Sequence, residues 1–314
     1  MLELLQKLLY LDWRRHGAVI REVSVARSQM WYADFAARPQ RPSGPELIEP
    51  KGGRGRRATS SRRGTRPPIA ILIHGLGASS TSFYPLIPRL VRGFRVIVPD
   101  LPGYGWSRPP RGRDHLLFPE LLEVIEKFVQ KVAPRGAYLV GNSMGGWLAA
   151  KLASSRPDLA RGLALLNPGG PALRAEDWVD FARVLYAEDR AVMGEYFRRL
   201  FHNPPLAIRL FTRDFQRIMR GPSVASLVAS LAESDFIAAE ELARVRCPSL
   251  LVWGESDRLI PQGCRDFYLK HLAGVRYEPL SDCGHCPQLE APKRTAELVM
   301  QLPAIAAAAS VEAA

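Results

Sequence analysis

The stretch "YLVGNSMGGWLAAKLA", residues 138–153, decides how the rest of the chain is read. Its opening, Tyr138 to Val140, is apolar and β-prone, while Trp147 to Ala153 is built of helix formers. A buried strand therefore runs into a helix across Gly141-Asn142-Ser143-Met144-Gly145. So abrupt a turn needs small residues on both sides and displays one side chain at its apex. Gly141, Gly145 and Gly146 give the room, and Ser143 is the side chain displayed. The string Gly-x-Ser-x-Gly alone is common enough to arise by chance, so a glycine-rich turn with an idle serine is the alternative. The flanking chain has to decide between them.

Short apolar runs bounded by Gly, Pro or Asp recur at Ile69–Ile73, Arg95–Val98, Ala137–Val140, Gly162–Leu166 and Leu250–Trp253. Most are followed by helical periodicity, as at Pro119–Val132 and Trp147–Ser155. Runs without polar alternation suit strands covered on both faces, so the pattern predicts an α/β fold with a mainly parallel central sheet flanked by helices. An N-terminal helical stretch precedes Ala18–Val25 and Gln29–Phe35, which read as an antiparallel pair at a sheet edge. The alternation breaks once, between Pro168 and Arg246, where aromatic residues, Leu and Met recur at helical intervals. The organisation expected is residues 1–37 as N-terminal helix and edge strand pair, and 38–66 as a basic flexible loop. An α/β core follows over 67–167 and 247–304, interrupted by an inserted helical lid over 168–246, and 305–314 forms a tail.

A serine displayed at such a turn is a nucleophile only if a base, an acid and oxyanion donors accompany it. "HGLG", His74–Gly77, ends a buried strand, and the N–H of Leu76 with that of Met144 at a helix start are the oxyanion-hole candidates. His74 itself reads as structural, with a backbone partner. "SLLVWGESDRLIP" puts Asp257 just past a strand, with Glu255, Asp266 and Asp282 as rival acids. "SDCGHC", Ser281–Cys286, puts His285 just past the last strand-like run, Arg276–Leu280. The chain order is then Ser143, Asp257, His285, each at the carboxyl end of a strand, where open α/β sheets carry their sites. Cys283 and Cys286 flank the histidine as a C-x-x-C pair, but no second Cys or His pair stands at zinc-ligand spacing. A redox dithiol would open a helix early in a small domain, and only 28 residues follow Cys286. Buried packing is the economical reading of both thiols, and neither a metal nor a cofactor is expected.

The net charge of +12 is mostly one segment: eight Arg and Lys51 face only Glu46 and Glu49 between Arg38 and Arg66, a net of +7. That segment is rich in Pro, Gly and Ser and has no hydrophobic period, so it reads as a solvated insertion, with attraction to an anionic membrane surface as the functional alternative. Its arginines lack interleaved aromatics, which argues against specific nucleic-acid binding. No run of eighteen apolar residues exists, and the Leu-rich start lacks a signal-peptide cleavage site. A cytoplasmic location is expected, with the membrane contact, if made, peripheral.

Together, "HGLG", "PDLPGYGWS", "GNSMGG", "WGESDRLIP" and "CGHCPQLEAPKRTAELV" resemble the α/β-hydrolase superfamily over about Ile69 to Leu302. "YLDWRRHG" and the "LEAPKRTAEL" helix are similar to lid-bearing esterases of the monoacylglycerol-lipase type. "GNSMGG" and "LLNPGGP" resemble equally the meta-cleavage-product C–C hydrolases, which use the same triad on vinylogous diketones. Those enzymes typically show "HGxGPG" and a Trp after the catalytic His, where this chain has Ala78-Ser79 and Cys286. The expectation is a cofactor-free serine hydrolase of small carboxylic esters or lipids with an apolar acyl chain. C–C hydrolysis is the alternative, and a non-catalytic binding module on the same fold is the outside reading. Trp178, Phe181, Leu185, Phe197, Phe211 and Phe215 of the lid are the expected pocket lining.

Overall fold

A computed structural model describes residues 1–38, 66–185 and 190–312, with the side chains of 184–191 and 308–312 outside that description. The β-prone runs become β1 (Ala18–Val25), β2 (Ser28–Phe35), β3 (Ile69–Ile73), β4 (Arg95–Pro99), β5 (Ala137–Asn142), β6 (Ala160–Leu166), β7 (Ser249–Gly254) and β8 (Arg276–Leu280). They form one sheet in the order β1-β2-β4-β3-β5-β6-β7-β8. β1, β2 and β4 pair antiparallel, and every other neighbour pair is parallel. The turn joining β1 to β2 has Ala26 and Arg27 at φ 45° and 64°, the doubly left-handed pair that matches the twist of a tight hairpin.

The apolar runs lack alternation because both faces of the sheet are covered. Along β3, Ile71 and Ile73 enter one core while Ala70 and Leu72 enter the other, all fully buried. The first core holds the helices Phe118–Val132 and Met144–Ser155; the second holds Tyr10 and Trp13 of the N-terminal helix Leu2–Arg15 and Val299 and Leu302 of the last helix. Each fully buried Leu, Ile or Val contributes about 1.5–3 kcal/mol, so this two-sided sheet is the main source of stability.

Between β6 and β7 the chain leaves the sheet for the helices Ala175–Leu185, Arg190–Leu200, Thr212–Met219 and Pro222–Ala229. It is tied back by Lys151 of the helix after β5, whose Nζ meets Glu241 Oε1 at 3.2 Å. The last helix runs Pro292–Glu312, past the point at 305 where a tail was expected, because the alanine-rich sequence there favours helix. Residues 39–65 of the basic segment lie outside the described residues. Among the described residues no helix is long and apolar enough to cross a membrane.

Candidate active site

β5 delivers Ser143 to the sheet top in a backbone conformation, φ 56° and ψ −122°, that residues with a Cβ rarely adopt. The turn is held by the Ser143 N–H, which donates to the Leu166 carbonyl at 3.1 Å, and by the Gly146 N–H, which donates to the Ser143 carbonyl at 3.0 Å. It also forbids side chains at its flanks. A Cβ on Gly141 would overlap the Gly145 carbonyl, and one on Gly145 would overlap the carbonyl oxygen of Ile73. Strain of this kind costs on the order of 1–3 kcal/mol and persists where its surroundings over-determine it. Ser143 Oγ forms no hydrogen bond with a described side chain, leaving it free to engage a ligand.

The ends of β7 and β8 bring Asp257 and His285 together. Asp257 Oδ2 lies 2.8 Å from His285 Nδ1, with both side chains buried, at 0% and 3% exposure. The carboxylate is fully engaged: Oδ2 also accepts from Asn167 Nδ2 at 2.7 Å, and Oδ1 accepts from the N–H groups of Leu259 at 2.8 Å and Ile260 at 3.1 Å. With Nδ1 turned toward a carboxylate, the imidazole leaves Nε2 as its proton acceptor. Of the rival acids, Asp282 is exposed and pairs with His202, Asp266 pairs with Arg265, and Glu255 accepts from Ser281 Oγ.

Three positioning residues escaped the reading of the sequence. Asn167, at φ 43° in "LLNPGGP", joins Asp257 to β7 by accepting the Gly254 N–H on its Oδ1 at 2.9 Å. Asn142, the residue before the serine, donates from Nδ2 to the His285 carbonyl at 3.0 Å and so ties the histidine loop to the elbow, the strand-to-helix turn at Ser143. Glu290 accepts the N–H groups of Gly284 at 2.9 Å and of His202 at 2.7 Å, clasping that loop to the insertion after β6. Each of the three bonds to backbone groups, which a sequence motif displays poorly.

Leu76 and Met144 both lie beside Ser143, and neither N–H has an intramolecular acceptor among the described residues. Met144 opens the elbow helix, so its N–H is one of the free donors at a positive helix terminus. His74 is spent on backbone: Nδ1 lies 2.8 Å from the Gly75 carbonyl, and Nε2 accepts the Leu101 N–H at 3.0 Å. That pattern fixes a neutral tautomer, and burial lowers its pKa further.

Two cavities meet at Ser143. The inner one, ≈ 80 Å³, is almost wholly apolar, with Phe118, Met144, Trp147, Trp178, Phe181 and Phe236 in its wall. The outer one, ≈ 290 Å³, contains His285 and is bounded by Leu2, Leu5 and Leu9 of the N-terminal helix and Phe215 of the insertion. Leu76 and Phe181 belong to both. Of the expected lining, Trp178, Phe181 and Phe215 reach the cavities. Phe197 and Phe211 do not: Phe197 is turned into the insertion's own packing, 5.2 Å from the Phe215 ring, and Phe211, itself half-buried, ends the largely exposed turn Leu206–Phe211. The side chain of Leu185 lies outside the described residues. Tyr196, Leu200 and Phe201 line the outer cavity instead.

Burial raises every cysteine thiol: Cys283 is pushed up to about 12, Cys247 to about 11, and Cys286 well above the usual range. Cys283 and Cys286 are free, buried thiols and not a disulfide. Among the described residues no cluster of three or more His, Cys, Asp or Glu is placed to hold a metal ion.

A mainly parallel sheet, a serine at a strained strand-to-helix turn and a helical insertion after β6 together define an α/β-hydrolase fold. The profile of the Alpha/beta hydrolase family matches residues 70–298, and the chain belongs to that family. The pimeloyl-[acyl-carrier protein] methyl ester esterase of Aeromonas hydrophila is 27% identical over an alignment of 257 residues that covers 77% of this chain and 98% of that one. Among solved structures, a membrane phospholipase A described as a bacterial virulence factor superposes with a TM-score of 0.76 at 24% identity, covering 96% of this chain and 91% of that one. A meta-cleavage product hydrolase from Pseudomonas fluorescens superposes with a TM-score of 0.70 at 18% identity, covering 91% and 98%.

Proposed function

We propose that this protein is a serine hydrolase that cleaves carboxylic esters with an apolar acyl chain through an acyl-enzyme. In this reading Ser143 Oγ attacks the ester carbonyl carbon while His285 Nε2 takes its proton. Asp257, fixed by Asn167 and the Leu259 and Ile260 amides, orients Nδ1 and stabilises the imidazolium. The oxyanion accepts the Leu76 and Met144 N–H groups, an arrangement that contributes about 2.7–4 kcal/mol per donor to the transition state. The C–O bond to the leaving alcohol breaks as His285 returns the proton, and water, deprotonated by the same histidine, releases the acid. Because the proton goes back to the leaving oxygen, the alcohol belongs in the outer cavity, which holds His285, and the acyl chain in the inner, apolar one.

The observation that carries this reading is the convergence of His285, held by Asp257, and the strained Ser143 on one cavity, which meets at Ser143 a second whose wall is hydrocarbon and aromatic. Similarity to the Aeromonas esterase supports an ester substrate. C–C hydrolysis needs a cationic partner for a diketone carboxylate, and neither cavity is lined by Arg or Lys among the described residues. The lid cation Arg183 is instead exposed and paired with Asp180 and Glu195.

Each acyl methylene buried in the inner cavity contributes about 0.8 kcal/mol, so four added carbons raise kcat/KM by about two orders of magnitude, less the cost of ordering the chain. The test is kcat/KM for p-nitrophenyl esters from acetate to dodecanoate, beside one dienoic diketone. A rise from acetate to medium chains is expected. A flat or falling series, or a diketone turned over faster than every ester, overturns the assignment.

A further inference from the structure

The N-terminal helix Leu2–Arg15 is apolar on two opposite sides. Residues 2, 6, 9, 10 and 13 face inward: Tyr10 and Trp13 are buried, and Leu2, Gln6 and Leu9 line the outer cavity. On the opposite side Leu4, Leu8 and Leu11 stand 60%, 54% and 52% exposed. At 100° per residue these three fall within one narrow stripe turned away from the protein. Scattered exposed leucines need no explanation, but a helix with leucine on its outer stripe as well as its packed face is built to be covered.

The stripe does not end at the helix. Leu5 is partly exposed and also lines the outer cavity, as does Leu289. The Leu2 N–H donates to Asp214 Oδ2 at 3.0 Å, joining the helix to the lid segment just after the turn that exposes Leu206 at 80% and Leu210 at 67%. The apolar surface thus adjoins the mouth of the cavity that contains His285. The charge around it is cationic on balance: on the helix Lys7, Arg14 and Arg15 stand against Glu3, which pairs with Lys7, and Asp12, and in the adjoining lid segment Arg209, Arg213, Arg217 and Arg220 stand against the single Asp214, which pairs with Arg217. With Glu3, Lys7 and Asp12 set among its leucines, the helix suits lying in a lipid surface.

We infer that the outer stripe of this helix docks on an anionic lipid surface, so that the outer cavity opens into the lipid and draws its ester from it. The inference rests on the ester-hydrolase reading for the substrate, whereas the docking itself is independent of it. Leucine side chains enter the boundary between headgroups and acyl chains, and the flanking Lys and Arg reach the phosphates, as surface-lying amphipathic helices do. The inner face then forms one wall of the path by which a lipid-borne ester reaches Ser143.

The test uses the full chain carrying Ser143→Ala, so that binding is read without turnover, in flotation with phosphatidylcholine vesicles containing phosphatidylglycerol. Leu4→Gln/Leu8→Gln/Leu11→Gln is compared in the same background; these side chains line neither cavity. The expected result is vesicle binding that weakens on the order of a hundredfold in the triple variant and is weaker for phosphatidylcholine alone. With Ser143 restored, kcat/KM of the triple variant should be unchanged on a soluble short ester and should fall on the same acyl ester presented in vesicles. Equal vesicle binding by parent and variant overturns the proposal, as does the absence of binding by the parent. A dimer in sedimentation that the triple variant dissociates, without vesicle binding, overturns it in favour of a second copy of the chain. Vesicle binding that survives while Ser143→Ala retains full ester hydrolysis upholds the docking and removes the ester-hydrolase reading instead.

Discussion

At position 167 an asparagine holds a left-handed backbone, φ 43°, and uses both ends of its amide: Nδ2 donates to Asp257 and Oδ1 accepts from Gly254. Hydrogen bonds to a charged group are each worth about 1.5–3 kcal/mol, so this amide helps decide where the carboxylate sits under the imidazole. Asn167→Asp keeps the size and the acceptor but sets a second carboxylate oxygen against Asp257. We expect kcat to fall about 10- to 100-fold with little change in KM and a near-normal unfolding midpoint, measured by steady-state kinetics and thermal melting. Unchanged kcat would show that the three remaining contacts hold Asp257 unaided. Residue identity was legible where chemistry restricts it: a serine between glycines, an aspartate and a histidine each just past a strand. The orienting residues were not, because an Asn that serves a carboxylate and a backbone amide is indistinguishable in sequence from an Asn in any turn.

At the scale of elements, the strand-turn-helix unit around Ser143 depends on atoms that are missing. Gly145→Ala would drive a Cβ into the Ile73 carbonyl, a clash with backbone in adjacent β3 that no rotamer relieves. A loss of about 3 kcal/mol or more is expected in denaturant unfolding, and a midpoint equal to wild type would contradict the tightness of the elbow. The loop after β8 makes a different prediction. Burial raises the Cys283 thiol from an ordinary value near 9 to about 12, so the stability that comes from keeping it protonated is present below about pH 9. It is lost as pH rises toward 12, since the unfolded chain then ionises first. Denaturant midpoints should decline between pH 9 and 11, less steeply for Cys283→Ala, while reductant leaves the neutral-pH ester hydrolysis unaltered; an equally steep decline in the variant would contradict this origin. Element types were readable because two-sided burial writes itself as unbroken apolar runs from β3 to β7. The insertion's lining was less so: helical spacing shows that Phe197 and Phe215 are on packed faces, but it does not say which of them turns to the cavity and which to its neighbour.

Over the whole molecule, two apolar cores fix a sheet whose carboxyl edge gathers residues far apart in sequence, and the insertion after β6 covers that edge. The topology was legible in sequence because helices alternate with runs that need cover on both sides, which leaves a mainly parallel sheet as the economical arrangement. Contacts between distant parts were not: that the N-terminal helix walls the outer cavity follows from Tyr10 reaching Asp100 at 3.0 Å and the Leu2 amide reaching Asp214, and no local pattern announces either. What the architecture converges on is Ser143, and the most direct measurement is covalent labelling with a fluorophosphonate probe, located by mass spectrometry of the digested protein. Stoichiometric modification of Ser143 is expected, prevented by prior denaturation and slowed about a thousandfold or more in His285→Ala. Modification at another residue, or an unlabelled Ser143 in protein that hydrolyses esters at full rate, would contradict it.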